Sequence, residues 1–259
     1  MVLIQEIGWA KGLGKEIRFV EKGRIPKKFT LLNALPDVGL VGVIAATHIV
    51  SSLKMREVAY LDSEIFPPVV VLHGGEPKAP VRVLAGDSLV VLVSETAIPA
   101  GVVHPLAEAI VDWASLKNVE YIISLGGLAV QNRQDIDFPK VFAALSDRSL
   151  AKLIGDAAEI LEEGYIVGAY ALILKKCAEV GLPAITLLAQ SFFSYPDPEA
   201  AAATIKALNK ILNLNVDVTK LIQKGEEIRL RAKDVMRRTQ AELIRMNKSQ
   251  EYDLPPLYG

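Results

Sequence analysis

Short apolar runs bounded by turn residues recur along this chain at 29–35, 58–61, 69–72, 88–93, 121–125 and 184–189. Amphipathic stretches separate them at 38–53, 102–117, 166–180 and 198–212. A short continuous apolar run suits a strand buried on both faces, and a longer stretch with apolar groups three and four apart suits a helix packed on one side. Alternation of the two leads to a largely parallel sheet, because parallel neighbours need a long crossover and a helix supplies it. The predicted class is therefore α/β, in three layers: a mostly parallel sheet with helices on both faces. No polar linker and no repeat of constant period interrupts residues 1–215, so one domain is predicted there.

After Asn215 the pattern changes. Leu221, Gly225, Ile228, Ala232, Val235, Thr239, Leu243 and Met246 fall three and four apart, which predicts a long C-terminal helix over 216–247 with one small and apolar stripe. Asp217 is a start signal, and Arg229, Arg231, Arg237, Arg238 and Arg245 mark the polar faces. Such a helix packs along its own domain or a sister subunit. It carries no aromatic residue for stacking bases, and the whole chain balances 29 basic against 30 acidic residues for a net charge of −1. Neither nucleic acid nor an anionic membrane surface is an expected partner. Residues 248–259 read KSQEYDLPPLYG, and Pro255-Pro256 forbids helix and stiffens the chain, which predicts a tail presenting Leu257, Tyr258 and Gly259.

Candidate chemistry is sparse. Asp37-Val38-Gly39-Leu40-Val41-Gly42, between an expected strand and an expected helix and about twenty residues before Asp62, is a partial dinucleotide fingerprint. Asp37 stands where the first glycine belongs, and its carboxylate would face an anionic pyrophosphate. Gly39 and Gly42 are therefore expected to let the turn pack closely on the sheet. Phosphate-loop, serine-elbow and zinc-protease motifs are missing, and His48, His73 and His104 lack metal-ligand spacing. No catalytic residue, metal or cofactor is predicted, and Ser94-Glu95-Thr96 is assigned no catalytic role. Gly74-Gly75 and Gly126-Gly127 read as turn glycines, although at strand ends they could also line a pocket. The lone Cys177 excludes an internal disulfide and predicts a reducing compartment. Glu6 and Lys11 break any leader-like run, and the uncharged stretches 38–53 and 180–196 are short or interrupted. A cytoplasmic protein without a membrane span is expected.

The segment 35–42, with Glu57-Val58-Ala59 and Phe66-Pro67-Pro68 after it, resembles the amino-terminal pattern of the proteasome assembly chaperone 2 family. Leu125-Gly126-Gly127, Gly164-Tyr165-Ile166-Val167-Gly168 and Tyr195-Pro196-Asp197-Pro198-Glu199-Ala200-Ala201 are similar to it as well, so the resemblance spans about residues 28–225. The terminal Leu257-Tyr258-Gly259 matches the hydrophobic-Tyr-any residue tail of proteasome activators. Chance produces such a pair at this position in about 1.4% of chains of this composition, so the tail gains weight from the rest of the resemblance. The resemblance implies a fold similar to purine nucleoside phosphorylases and a non-catalytic archaeal homo-oligomer. Such an oligomer would dock on the α-ring of the proteasome core particle through Leu257, Tyr258 and Gly259, as an assembly chaperone or an activator. Two other readings remain open on residues alone: an enzyme of nucleoside-phosphorylase or ATP-dependent ligase type with a pocket at the strand ends, and a dinucleotide module at Gly39 and Gly42.

Overall fold

The computed structural model describes residues 17–248. Its strands in chain order are β1 (Arg18–Glu21), β2 (Thr30–Ala34), β3 (Arg56–Asp62), β4 (Val71–His73), β5 (Glu76–Lys78), β6 (Val81–Ala85), β7 (Leu89–Ser94), β8 (Tyr121–Ala129), β9 (Val141–Leu145), β10 (Glu159–Ile160) and β11 (Ala184–Ser191). The α-helices are α1 (Val41–Ser52), α2 (Val103–Leu116), α3 (Ala151–Ile154), α4 (Ala169–Val180), α5 (Pro198–Leu212), α6 (Thr219–Gln223) and α7 (Gly225–Arg245). Nine strands form one sheet in the order β1-β3-β6-β7-β2-β8-β11-β9-β10. Its centre, β7-β2-β8-β11, is parallel, as strand-helix alternation predicts. On one flank β6, β3 and β1 add antiparallel, and on the other β11 meets β9 antiparallel before β9 and β10 pair in parallel.

Side chains alternate across the sheet with the period of a strand. Leu32 and Ala34 of β2 join Ile44 and Ile49 of α1 and Ala201, Ile205 and Leu208 of α5 on one face. Leu31 and Leu92 meet Leu106 and Ile110 of α2 and Ile173 of α4 on the other. Each layer is thus a helix pair on one face of a sheet buried on both.

Local chemistry places the helix ends. Asp197 caps α5 by accepting from Ala200 N at 3.1 Å, Pro198 occupies the first turn where no amide partner is needed, and Glu199 faces the positive end of the dipole. Gly181 ends α4 at φ +71°, a left-handed position that costs glycine nothing. The expected long helix of 216–247 is instead two, broken at Lys224, and Asp217 Oδ1 accepts from Thr219 N at 3.0 Å where the first begins.

One expected buried strand, 69–72, is not buried. Val71 and Leu72 enter the separate β4-β5 hairpin, which turns at Gly74 and Gly75 with φ +59° and +84°, and Val70 and Leu72 face solvent. Cys177 lies fully inside α4, and burial pushes its thiol up to about 12. The native protein is therefore expected to resist iodoacetamide at pH 8 and to react once unfolded. The unfolded thiol ionises first, so this group removes stability as pH rises above about 9, at most about 1.4 kcal/mol per pH unit. Rapid stoichiometric labelling of the native chain would show that α4 opens.

Candidate functional site at the carboxyl ends of the parallel strands

Ligands of open α/β sheets bind where the parallel strands end. Here β2 runs out at Ala34, and Leu35-Pro36-Asp37 leads into a tight turn in which Gly39 (φ +61°) and Leu40 (φ +50°) are both left-handed. A β-carbon at Gly39 would strike Ser191 Oγ, and one at Gly42 would overlap the Leu125 carbonyl oxygen of β8. These two glycines bring the start of α1 against the sheet, as expected. Gly126 and Gly127 do not form a turn: they lie inside β8, whose pairing with β11 runs on to Ala129. Their missing side chains make room for neighbours instead. A β-carbon on Gly126 would sit 2.6 Å from Asp37 Oδ2 and 2.8 Å from the Tyr170 ring, and one on Gly127 would overlap the Val38 carbonyl.

Asp37 is buried at this junction. Tyr170 Oη donates to Leu35 O at 2.6 Å, and Lys248 places Nζ 3.5 Å from Asp37 Oδ1 while donating to Val167 O at 2.7 Å. Loss of water pushes the Asp37 carboxyl up, and the Lys248 ammonium and backbone amides pull it part of the way back. The same burial, with the Asp37 charge nearby, drives the Tyr170 phenol well above its ordinary value, so Tyr170 acts here as a neutral donor.

Helix α7 lies across these strand ends. Ala100 N, after β7, donates to Glu242 Oε2 at 2.9 Å, and Gln240 Nε2 donates to Ser194 Oγ, after β11, at 2.8 Å. Leu243 and Met236 are buried beneath it, each side chain contributing about 1.5–3 kcal/mol. Arg229, read from the sequence as a solvated residue, makes two bonds to Glu199 at 2.8 and 2.9 Å and ties α7 to the start of α5. The space left between Asp37, Tyr170, Thr239, Leu243 and Met246 is about 20 Å³. A single water fills such a volume, and a nucleoside does not enter it.

A second buried pair secures the neighbouring loop. Arg133 donates from Nε to Asp197 Oδ2 at 2.7 Å, from Nη2 to Asp197 Oδ1 at 2.9 Å and from Nη1 to Ile136 O at 2.7 Å. Its guanidinium stands over the Phe192 ring at 5.1 Å. Asp197 N in turn donates to Gly39 O at 2.8 Å. The family-like segments 35–42, 125–127, 164–168 and 195–201, far apart in sequence, thus meet at one junction.

The other sequence candidates separate. Asp62, the would-be ribose ligand, is on β3, three positions from β2 in the sheet, and pairs with Arg18 at 2.8 Å. Ser94 Oγ donates to Thr96 O at 2.7 Å and so closes its own turn. His48 meets Asp217 O at 2.7 Å, and His73 meets Glu95 at 3.0 Å. Among the described residues no group of three or more His, Cys, Asp or Glu is placed to hold a metal, and no helix is long and apolar enough to cross a membrane. Leu257, Tyr258 and Gly259 lie outside the described residues, and of the expected tail only Lys248 is described. Sequence reading missed Lys248 and Arg133, which stand in polar stretches with no local sign of burial.

Comparison with known proteins gives a consistent set of relatives. The model of the PAC2 family matches residues 31–236. The uncharacterized protein MJ0106 of Methanocaldococcus jannaschii is 32% identical over 244 residues, covering 93% of this chain and 98% of its own. Among solved structures, Pyrococcus furiosus PbaA, described as an archaeal homolog of proteasome-assembly chaperone, superposes with a TM-score of 0.81 at 28% identity, covering 87% of this chain and 98% of its own. Pyrococcus furiosus PbaB, described as an archaeal proteasome activator, superposes with a TM-score of 0.72 at 26% identity, covering 86% of this chain and 99% of its own.

Proposed function

This chain belongs to the PAC2 family, and on that premise we propose that it is a non-catalytic, cytoplasmic proteasome assembly chaperone or activator. It docks on the α-ring of the core particle through its C-terminal Leu257-Tyr258-Gly259. The observation that carries this reading is the likeness to PbaA and PbaB along 87% and 86% of the chain. The seat of α7 over the strand ends supports it, since a cavity of about 20 Å³ has no place for the substrate of a nucleoside phosphorylase or the nucleotide of a ligase. In the docked state Leu257 and the Tyr258 phenol fill an apolar groove, and the terminal carboxylate meets a cation. Pro255-Pro256 lowers the entropy lost on ordering. In a homo-oligomer, several tails on one body raise the effective concentration of each.

The test compares the full chain, a version lacking residues 257–259, and Tyr258→Ala for binding to an archaeal core particle, with peptide hydrolysis read in the same tubes. Removing a central aromatic anchor costs about 2 kcal/mol or more, so Tyr258→Ala should weaken binding about thirtyfold with an unchanged melting temperature. Tail-dependent binding with faster hydrolysis identifies an activator, and tail-dependent binding without it identifies an assembly or capping factor. Equal binding by all three versions, or by none, would remove the docking reading.

A further inference from the structure

Lys248 is the last described residue and stands where the expected tail begins. A lysine at a helix end ordinarily reaches for water, because desolvating an ammonium is costly. This one turns inward. Its side chain is 1% exposed, its Cδ lies 3.9 Å from where a β-carbon on Gly168 would be, and its Nζ donates to Val167 O at 2.7 Å and faces Asp37 Oδ1 at 3.5 Å. Gly168 holds φ +97°, a conformation natural to glycine, and lines the lysine stem at ordinary van der Waals distance. Asp37 follows the end of β2, at the parallel centre of the sheet, and packs against β8 at Gly126.

We infer that Asp37 and Lys248 form an anchor that pins the base of the C-terminal tail to the carboxyl end of β2, and so sets the point from which the tail reaches its partner. The pair is a positioning device, and it gives a role to the carboxylate that spoils the dinucleotide fingerprint. Gly259 is eleven residues beyond Lys248, a separation of at most about 36–40 Å at 3.3–3.6 Å per residue. Without the anchor the next deeply buried side chain is Leu243, and the segment beyond it grows to sixteen residues. Effective concentration falls as about the −3/2 power of segment length, so loosening the anchor should weaken docking about twofold for each tail that engages. This consequence rests on the docking reading above, whereas the anchoring does not.

The test uses the full chain with a nitroxide on Glu251→Cys, which is labelled selectively because the Cys177 thiol is buried. Spectra are compared in the wild-type background, in Lys248→Ala and in Asp37→Asn combined with Lys248→Ala. The single substitution leaves a buried carboxylate without its cation and should lower the melting temperature; the double substitution removes that charge and should restore much of it. Both should narrow the nitroxide spectrum, a result that a merely structural pair would not give in the stabilised double variant. Unchanged spectra in both variants would overturn the anchor, whatever happens with the core particle. Narrowed spectra with unchanged core-particle affinity, while Tyr258→Ala still weakens it, would overturn the positioning role. If Tyr258→Ala has no effect, the docking reading fails and the spectra alone decide the anchor.

Discussion

Arg133→Met is expected to lower the stability of this protein by about 3–5 kcal/mol, the cost of removing one partner from a buried ion pair and stranding the other. Arg133 and Asp197 have side-chain exposures of 5% and 0%, and the pair is bidentate, so water cannot replace the guanidinium without opening the loop. Two further bonds go with it, because Arg133 also serves Ile136 O and holds the carboxylate that caps α5. At about 2–4 °C per kcal/mol for a chain of this size, the melting temperature should drop by about 6–20 °C. Asp197→Asn keeps an acceptor for Ala200 N, so combined with Arg133→Met it should recover part of the loss. A melting temperature lowered by less than about 2 °C in Arg133→Met would mean that the loop is open to water in solution.

Gly42→Ala is the second large effect, and its cause is steric. The added carbon would overlap the Leu125 carbonyl oxygen, which belongs to the backbone of β8 and cannot rotate away. Helix α1 must then withdraw from the sheet along its buried face, which includes Val41, Ala45 and Ile49. Overpacking of a core costs about 1–3 kcal/mol when side chains yield, and here the obstacle is main chain, so about 3 kcal/mol or more is expected. Gly101→Ala is the control, since nothing lies within 4 Å of a β-carbon at that position. Urea midpoints with equal slopes would measure both. Equal midpoints for the two variants would show that α1 is not seated on β8 as described.

The central sheet was legible because β2, β7, β8 and β11 are buried on both faces and so appear as unbroken apolar runs. Of the flanking strands only β3, the apolar run at 58–61, was legible as well. Residues 81–85 read VRVLA, residues 141–145 read VFAAL, and β10 has only two residues; none of the three is a long unbroken apolar run, and each is defined by its pairing with a neighbouring strand. The opposite error occurred at 69–72, where apolar composition suggested burial but Pro67-Pro68 and a two-stranded hairpin leave Val70 and Leu72 in solvent. Gly126 and Gly127 suggested a turn because glycine is common there, yet in β8 their use is the space they leave for Asp37, Tyr170 and Val38.

At the candidate site, the sequence alone showed Asp37 as a misfit in a nucleotide motif, and it suggested Leu257-Tyr258-Gly259 as a partner-binding triplet, which lies outside the described residues. It also determined the layered α/β class, the family-like segments and the lack of the standard catalytic motifs, all of which depend on local spacing and side-chain type. Only the tertiary structure decided that α7 crosses the strand ends, that Lys248 turns inward to Asp37, and that Arg133 meets Asp197. These are pairings between residues far apart in the chain. A lysine or arginine has the same local signature in water as in a core, and burial is set by the elements that close over it.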